Sequence, residues 1–280
     1  MTQARPSFFQ PAFRQGAAVL AALGLAFFPT FSRLVSYGWA HADFTHAYFV
    51  LPVSLGLLWL RRAGLSARPD FSPAGAALLT LGLAVWMFAA VNGFMFLEAA
   101  GFVVTSWGVG RLTLDRASFR KILFPLGYLV FLIPPPRLAI DTITFPLKQA
   151  AARGSYFILK AFPFSVELNG VVLRAGGHDL LISDACSGFR SLVTLLCLGA
   201  VYIHFHPFSV LKKWTLFLAI IPLAVTANVI RIVLTGALAY YAGPEFAEGF
   251  FHDFSGLVLF TLTALGLMAL VGVSGYGDGS

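Results

Sequence analysis

Residues 214–241, WTLFLAIIPLAVTANVIRIVLTGALAYY, decide the fold. The stretch is apolar for longer than the roughly 20 residues that a helix needs to cross a bilayer. Only one charged residue, Arg231, lies inside it. The rest of the chain agrees: 58% of its 280 residues are hydrophobic and 11% are charged, against about 25% charged in soluble domains. The sequence therefore reads as an all-α integral membrane protein, a single polytopic domain over residues 1–280.

Eight candidate spans stand out, at about 15–33, 44–60, 74–92, 95–112, 121–135, 187–205, 214–241 and 254–273. No small-x-small cleavage site follows the first apolar run, so it reads as a span and not as a signal peptide. The chain is not expected to carry a soluble C-terminal domain. The net charge of +7 comes largely from basic residues in short loops, which points to topology and anionic lipid, and not to nucleic acid. Arg61, Arg62, Arg68, Arg111, Arg116, Arg120, Lys121, Lys212 and Lys213 fall on one side if the N-terminus is cytoplasmic. Both termini are then cytoplasmic, and residues 34–43, 136–186 and 242–253 face out.

Within the outer segment, residues 136–163 mix apolar residues with Lys148, Arg153 and Lys160, as an interfacial helix does. Residues 164–183 alternate like strands around Asn169-Gly170, which predicts a small β-hairpin-like element before the sixth span.

Three polar islands lie toward the outer side. The first is ISDACSGFRSL, residues 182–192, where Ser183, Asp184, Cys186, Ser187 and Arg190 crowd together. If Ser183 or Asp184 caps the sixth span, Cys186 falls in its first turn, where unpaired N–H groups and the helix dipole favour thiolate. Arg190 follows one turn on. The second island is Asn228 and Arg231, which with Thr235 make one face of the seventh span polar; an arginine inside a membrane helix marks a functional site. The third is FHDFSG, residues 251–256, holding His252 and Asp253. A thiol, an arginine and a histidine suit nucleophilic acyl transfer: attack by thiolate, protonation of the leaving amine, and a donor for the oxyanion. On a straight helix Arg231 lies ~18 Å below Gly243, so the site is expected to be a recessed outward cavity.

Together these motifs resemble the exosortases, of the exosortase/archaeosortase superfamily. Asp184-Ala185-Cys186-Ser187-Gly188-Phe189-Arg190-Ser191-Leu192 resembles the family's nucleophile motif, with Asp184 where Glu is common. Asn228 to Arg231 resembles its Asn-x-x-Arg, and His252 with Gly256 its histidine and glycine. Trp39, Asp43, Thr45 and His46 resemble its N-terminal signature. The resemblance implies a triad of Cys186, Arg231 and His252 in a cysteine peptidase or transpeptidase of the bacterial cytoplasmic (inner) membrane. Its substrates would be secreted proteins ending in a PEP-CTERM-type signal: a Pro-Glu-Pro-like motif, a membrane helix and a basic tail. The new C-terminus would pass to an acceptor. Asp184, Ser187, Arg190, Asn228, His46 and Asp43 are candidate supporting or substrate-binding residues.

Cys186 and Cys197 are about 16 Å apart along one helix, too far for a disulfide. His41, Asp43 and His46 do not make a compact ligand set, so no metal and no cofactor is expected. The rival reading is a transporter or channel with Asn228, Arg231 and Glu98 lining a pathway. Against it, the polar residues gather at one face and no internal repeat is evident. A non-catalytic membrane scaffold is a third reading.

Overall fold

The computed structural model describes residues 11–66, 72–162, 165–175, 178–181, 188–243 and 250–276. The chain divides into two compact units, 1–136 and 137–280. Among the described residues it is mainly helical, with one small sheet.

In the first unit, helix α1 (Pro11–Ala26) breaks at Phe27 into α2 (Phe28–Arg33) and a π-helical turn, Leu34–Gly38. This first apolar run is thus a broken span, bent by 60°. A 3₁₀ turn at Ala42–Phe44 leads into α3 (Ala47–Arg61). Helices α4 (Pro73–Asn92) and α5 (Met95–Thr113) form an antiparallel pair joined at Gly93, whose φ of +74° closes α4 in the left-handed conformation. Small residues bring the two backbones close: a Cβ on Gly101 would come within 2.9 Å of the Gly82 carbonyl oxygen. Such close approach is the usual basis of helix association in lipid. Helix α6 (Arg116–Tyr128) is capped by Asp115, which accepts from the Ser118 N–H at 2.7 Å. That bond holds the Asp115 carboxyl below its ordinary pKa.

Glu98, on α5, is fully buried, and its partner explains how a membrane helix tolerates it. Oε2 accepts from Arg33 Nη2 at 2.6 Å and from the Thr30 hydroxyl at 3.0 Å. Trp86 Nε1 donates to Thr30 at 2.9 Å. The charge pair ties α2 to α5. The Arg33 side chain is 38% exposed and that of Glu98 0%, so loss of either partner has unequal consequences. Without Glu98 the guanidinium can turn to water. Without Arg33 a buried carboxylate is stranded, at a cost of about 3–5 kcal/mol. Arg33→Ala is therefore expected to destabilise the protein far more than Glu98→Gln, which keeps the Thr30 contact and is expected to cost about 1 kcal/mol. Denaturant titration of both variants in detergent checks the order.

In the second unit, α7 (Arg137–Lys160) is followed by strands β1 (Val166–Asn169), β2 (Val172–Ala175) and β3 (His178–Leu181). They form an antiparallel sheet in the order β1-β2-β3. Asn169 pairs with Val172, so the tight loop is Gly170-Val171 and not Asn169-Gly170. Gly170 has φ +63°, and among the described residues no non-glycine has positive φ, which is the II′ pattern with glycine first. Helices α8 (Phe189–His204), α9 (Val210–Ala242) and α10 (Phe250–Tyr276) complete the unit.

Helix α9 is the hub, since α7, α8 and α10 all pack on it. Ala151, Ala152 and Leu159 of α7 and Leu173 of β2 are buried with Ile232 and Ala239 of α9. A helix is therefore present where residues 136–163 were expected to form one, with one face occupied by α9. Leu195 of α8, Ile220 of α9 and Leu267 and Val271 of α10 form a second core.

Among the described residues three helices are long and apolar enough to cross a membrane: α4, residues 210–241 of α9 and residues 254–274 of α10. The count rises to five if two broken pairs each count as one span. The remaining expected spans fall short for identifiable reasons. Helices α3 and α8 have 15 and 16 residues, or about 22–24 Å, against a hydrocarbon core of ~30 Å. Helix α5 is long enough but carries Glu98, Thr105, Ser106 and Arg111.

Candidate active site

The polar face of α9 organises the site. Asn228 is 7% exposed and sits one turn before Arg231. Thr235, the third residue of that face, turns its hydroxyl back onto the Arg231 carbonyl at 2.9 Å, the usual recourse of a threonine inside a helix.

The nucleophile motif reaches this face through Gly188. Helix α8 starts at Phe189 with Gly188 as its N-cap residue, at φ +74°. The expected cap at Ser183 or Asp184 is thus corrected: the first turn of the helix is 189–192, and Cys186 precedes the cap by two residues. Position 188 is constrained by packing as well as by its dihedrals. Gly188 backs onto Asn228, whose Cγ and Nδ2 would stand 2.9 and 3.1 Å from any Cβ there. Position 188 thus excludes a side chain twice over, by positive φ and by the amide against it. Ser183, Asp184, Cys186 and Ser187 lie outside the described residues. Arg190 is exposed on the first turn of α8.

The histidine motif reaches the same face through Gly256. The Arg231 guanidinium lies against it, with Nη2 and Cζ 3.2 and 3.3 Å from where a Cβ would stand. His252 stands one turn earlier on α10, so the two positions share a face of that helix. The side chain of His252 is not among those described, and neither is that of Asp253. Ser191, Asn228, Arg231, Gly256 and Thr263 line one crevice, whereas Gly188, Leu192 and Asn228 line a second. Asn228 is common to both.

The N-terminal signature belongs to the first unit. Trp39 is 4% exposed and donates from Nε1 to the Leu132 carbonyl at 3.0 Å. His46 is 8% exposed, immediately before α3, and Asp43 is partly exposed in the 3₁₀ turn. Among the described residues no three His, Cys, Asp or Glu side chains come together to hold a metal.

The roles of Gly188 and Gly256 are the part of the site that sequence reasoning missed. Gly256 was visible as part of a motif, but a motif does not say what a glycine faces. The partner of Glu98 was missed too. Arg33 ends the first apolar run and Glu98 begins the fourth; opposite charges at the edges of two apolar runs were the available signal.

Residues 38–269 match the family model for the transmembrane exosortases. The chain belongs to the transmembrane exosortase family. The matched stretch takes in Trp39, His46, Cys186, Asn228, Arg231, His252 and Gly256. No curated protein and no solved structure matches the chain. Membership of the exosortase family supports a membrane protein-sorting role, and the apolar helices agree that this exosortase is a membrane protein.

Proposed function

We propose that this exosortase-family protein is a membrane cysteine peptidase or transpeptidase. It cleaves C-terminal PEP-CTERM-type sorting signals on the extracytoplasmic side of the bacterial cytoplasmic membrane. The observation that carries the reading is the convergence on one helix face. Asn228 meets Gly188, two residues past Cys186, while Arg231 meets Gly256, one turn past His252.

In the proposed reaction, the Cys186 thiolate attacks the carbonyl carbon of the scissile peptide bond. Arg231 stabilises the thiolate or the tetrahedral oxyanion through charge-assisted hydrogen bonds. His252 protonates the leaving amine as the C–N bond breaks. The signal's membrane helix and basic tail depart, and the rest of the substrate is left as a thioester on Sγ. An acceptor amine or water then gives a proton to His252 and attacks the thioester carbonyl, the C–S bond breaks, and the thiolate leaves. The residues require no metal or cofactor for these steps. The lipid bilayer is a partner throughout, and nucleic acid is not.

The reading is tested by co-expression with a secreted protein that ends in a Pro-Glu-Pro-like motif, a membrane helix and a basic tail. A shorter product should form with the natural motif and not with a scrambled one.

The same account places both termini in the cytoplasm. Reporter fusions at residues 66 and 209 should report cytoplasm, and a fusion at residue 160 the outside. A cytoplasmic residue 160 refutes an outward-facing site.

A further inference from the structure

We infer that Gly256 is the positioning residue for Arg231: its missing side chain leaves the bay in which the guanidinium lies. The inference rests on the catalytic reading of Arg231 given above. Three atoms of the fork stand close to the point where a Cβ would be, Nη2 at 3.2 Å, Cζ at 3.3 Å and Nε at 3.7 Å. A fork pointing its edge at position 256 would put Cζ farther away than either nitrogen. Here Cζ is as near as Nη2, so the guanidinium lies flat over the backbone of α10.

That geometry answers why a glycine stands in the first turns of a long helix, where it is among the least favourable residues. Its φ is not in the left-handed region, since the positive-φ glycines are Gly93, Gly170, Gly188 and Gly243. The requirement at 256 is for space. Other glycines of α10 differ. Nothing stands within 4 Å of a Cβ on Gly272, and Gly266 would make only an ordinary contact at 3.9 Å with Leu223. The seat also acts on the chemistry. Arg231 has a long side chain with many rotamers, and a flat surface one turn from His252 limits them. A catalytic group held in place contributes more than the same group left mobile.

The methyl group introduced by Gly256→Ala would push the guanidinium by a few tenths of an ångström, and the larger side chain of Gly256→Val would push it farther. A misplacement of about 1 Å costs on the order of 10²-fold in rate. Gly256→Ala is therefore expected to slow processing about 10-fold and Gly256→Val about 10²-fold, with Gly272→Ala unchanged. Stability separates seating from folding. Alanine is the better helix former, so Gly256→Ala should unfold in detergent no earlier than the unaltered protein. A second measurement asks whether the effect runs through Arg231. In an Arg231→Lys background, where no planar fork needs the bay, Gly256→Ala should cause no further loss of the residual rate.

Wild-type processing by Gly256→Ala overturns the inference, and so does an undiminished 10-fold loss in the lysine background. These outcomes differ from failure of the underlying reading, which appears as wild-type processing by Arg231→Lys alone.

Discussion

Cys186→Ser is expected to leave no processed substrate above background, whereas Cys197→Ala is expected to keep most of the activity. The two thiols differ in setting. Cys197 lies in the middle of α8 and is only 5% exposed. It serves as a small apolar residue. Cys186 stands just ahead of the α8 N-terminus, with its motif glycine locked against Asn228. Thiolate is the reacting species in a cysteine site, and a serine hydroxyl is far less ionised at neutral pH. On the proposed reading the reaction runs through a thiolate, and a serine at 186 would not supply that ionisation. Immunoblotting of the membrane fraction must show equal protein, so that lost chemistry is separated from lost folding. Normal processing by Cys186→Ser removes the nucleophile assignment.

Arg231→Lys is expected to insert and fold yet to lose about 10²–10³ in initial rate, the range for removing one oxyanion donor. Arginine keeps its charge in apolar surroundings and presents a planar set of donors, and that plane is what lies over Gly256. Lysine supplies one ammonium on a flexible stem and loses its proton more readily when desolvated. Arg231→Ala should be at least as slow. Arg190→Lys provides the contrast. Arg190 is exposed on the first turn of α8, and lysine keeps its charge there. Its expected loss is under about 10-fold. Initial processing rates at matched expression decide between them. Near wild-type speed for Arg231→Lys together with a dead Arg190→Lys exchanges the roles of the two arginines.

Much of this was legible in the sequence where apolar runs are long and uninterrupted. Residues 74–92, 214–241 and 254–273 coincide within a few residues with α4, α9 and α10. Legibility failed where hydropathy continues through a break in the helix. Residues 15–33 read as one span, but the backbone turns at Phe27 and winds into a π turn after Arg33. Residues 121–135 read likewise, but α6 ends at Tyr128 and a 3₁₀ turn follows at Leu129–Leu132. Hydropathy counts apolar residues and does not see backbone geometry.

Local signals also competed. Ser183 and Asp184 are good N-cap residues, yet α8 begins after Gly188, whose φ of +74° is not helical. That position is held to glycine by Asn228, forty residues away. The same holds for the site. The motifs named Cys186, Arg231 and His252, but only packing on α9 shows Gly188 and Gly256 bringing those motifs to one helix face.

The central claim is that Cys186 cleaves the sorting signal, and the mass of a substrate's C-terminus tests it most directly. The substrate is a secreted protein ending in a Pro-Glu-Pro-like motif, a membrane helix and a basic tail, expressed with either the unaltered chain or Cys186→Ser. The account predicts a C-terminus truncated near the motif, free or joined to an acceptor, with the unaltered chain, and the full-length C-terminus with Cys186→Ser. An intact signal in both strains, or the same truncation in both, contradicts it.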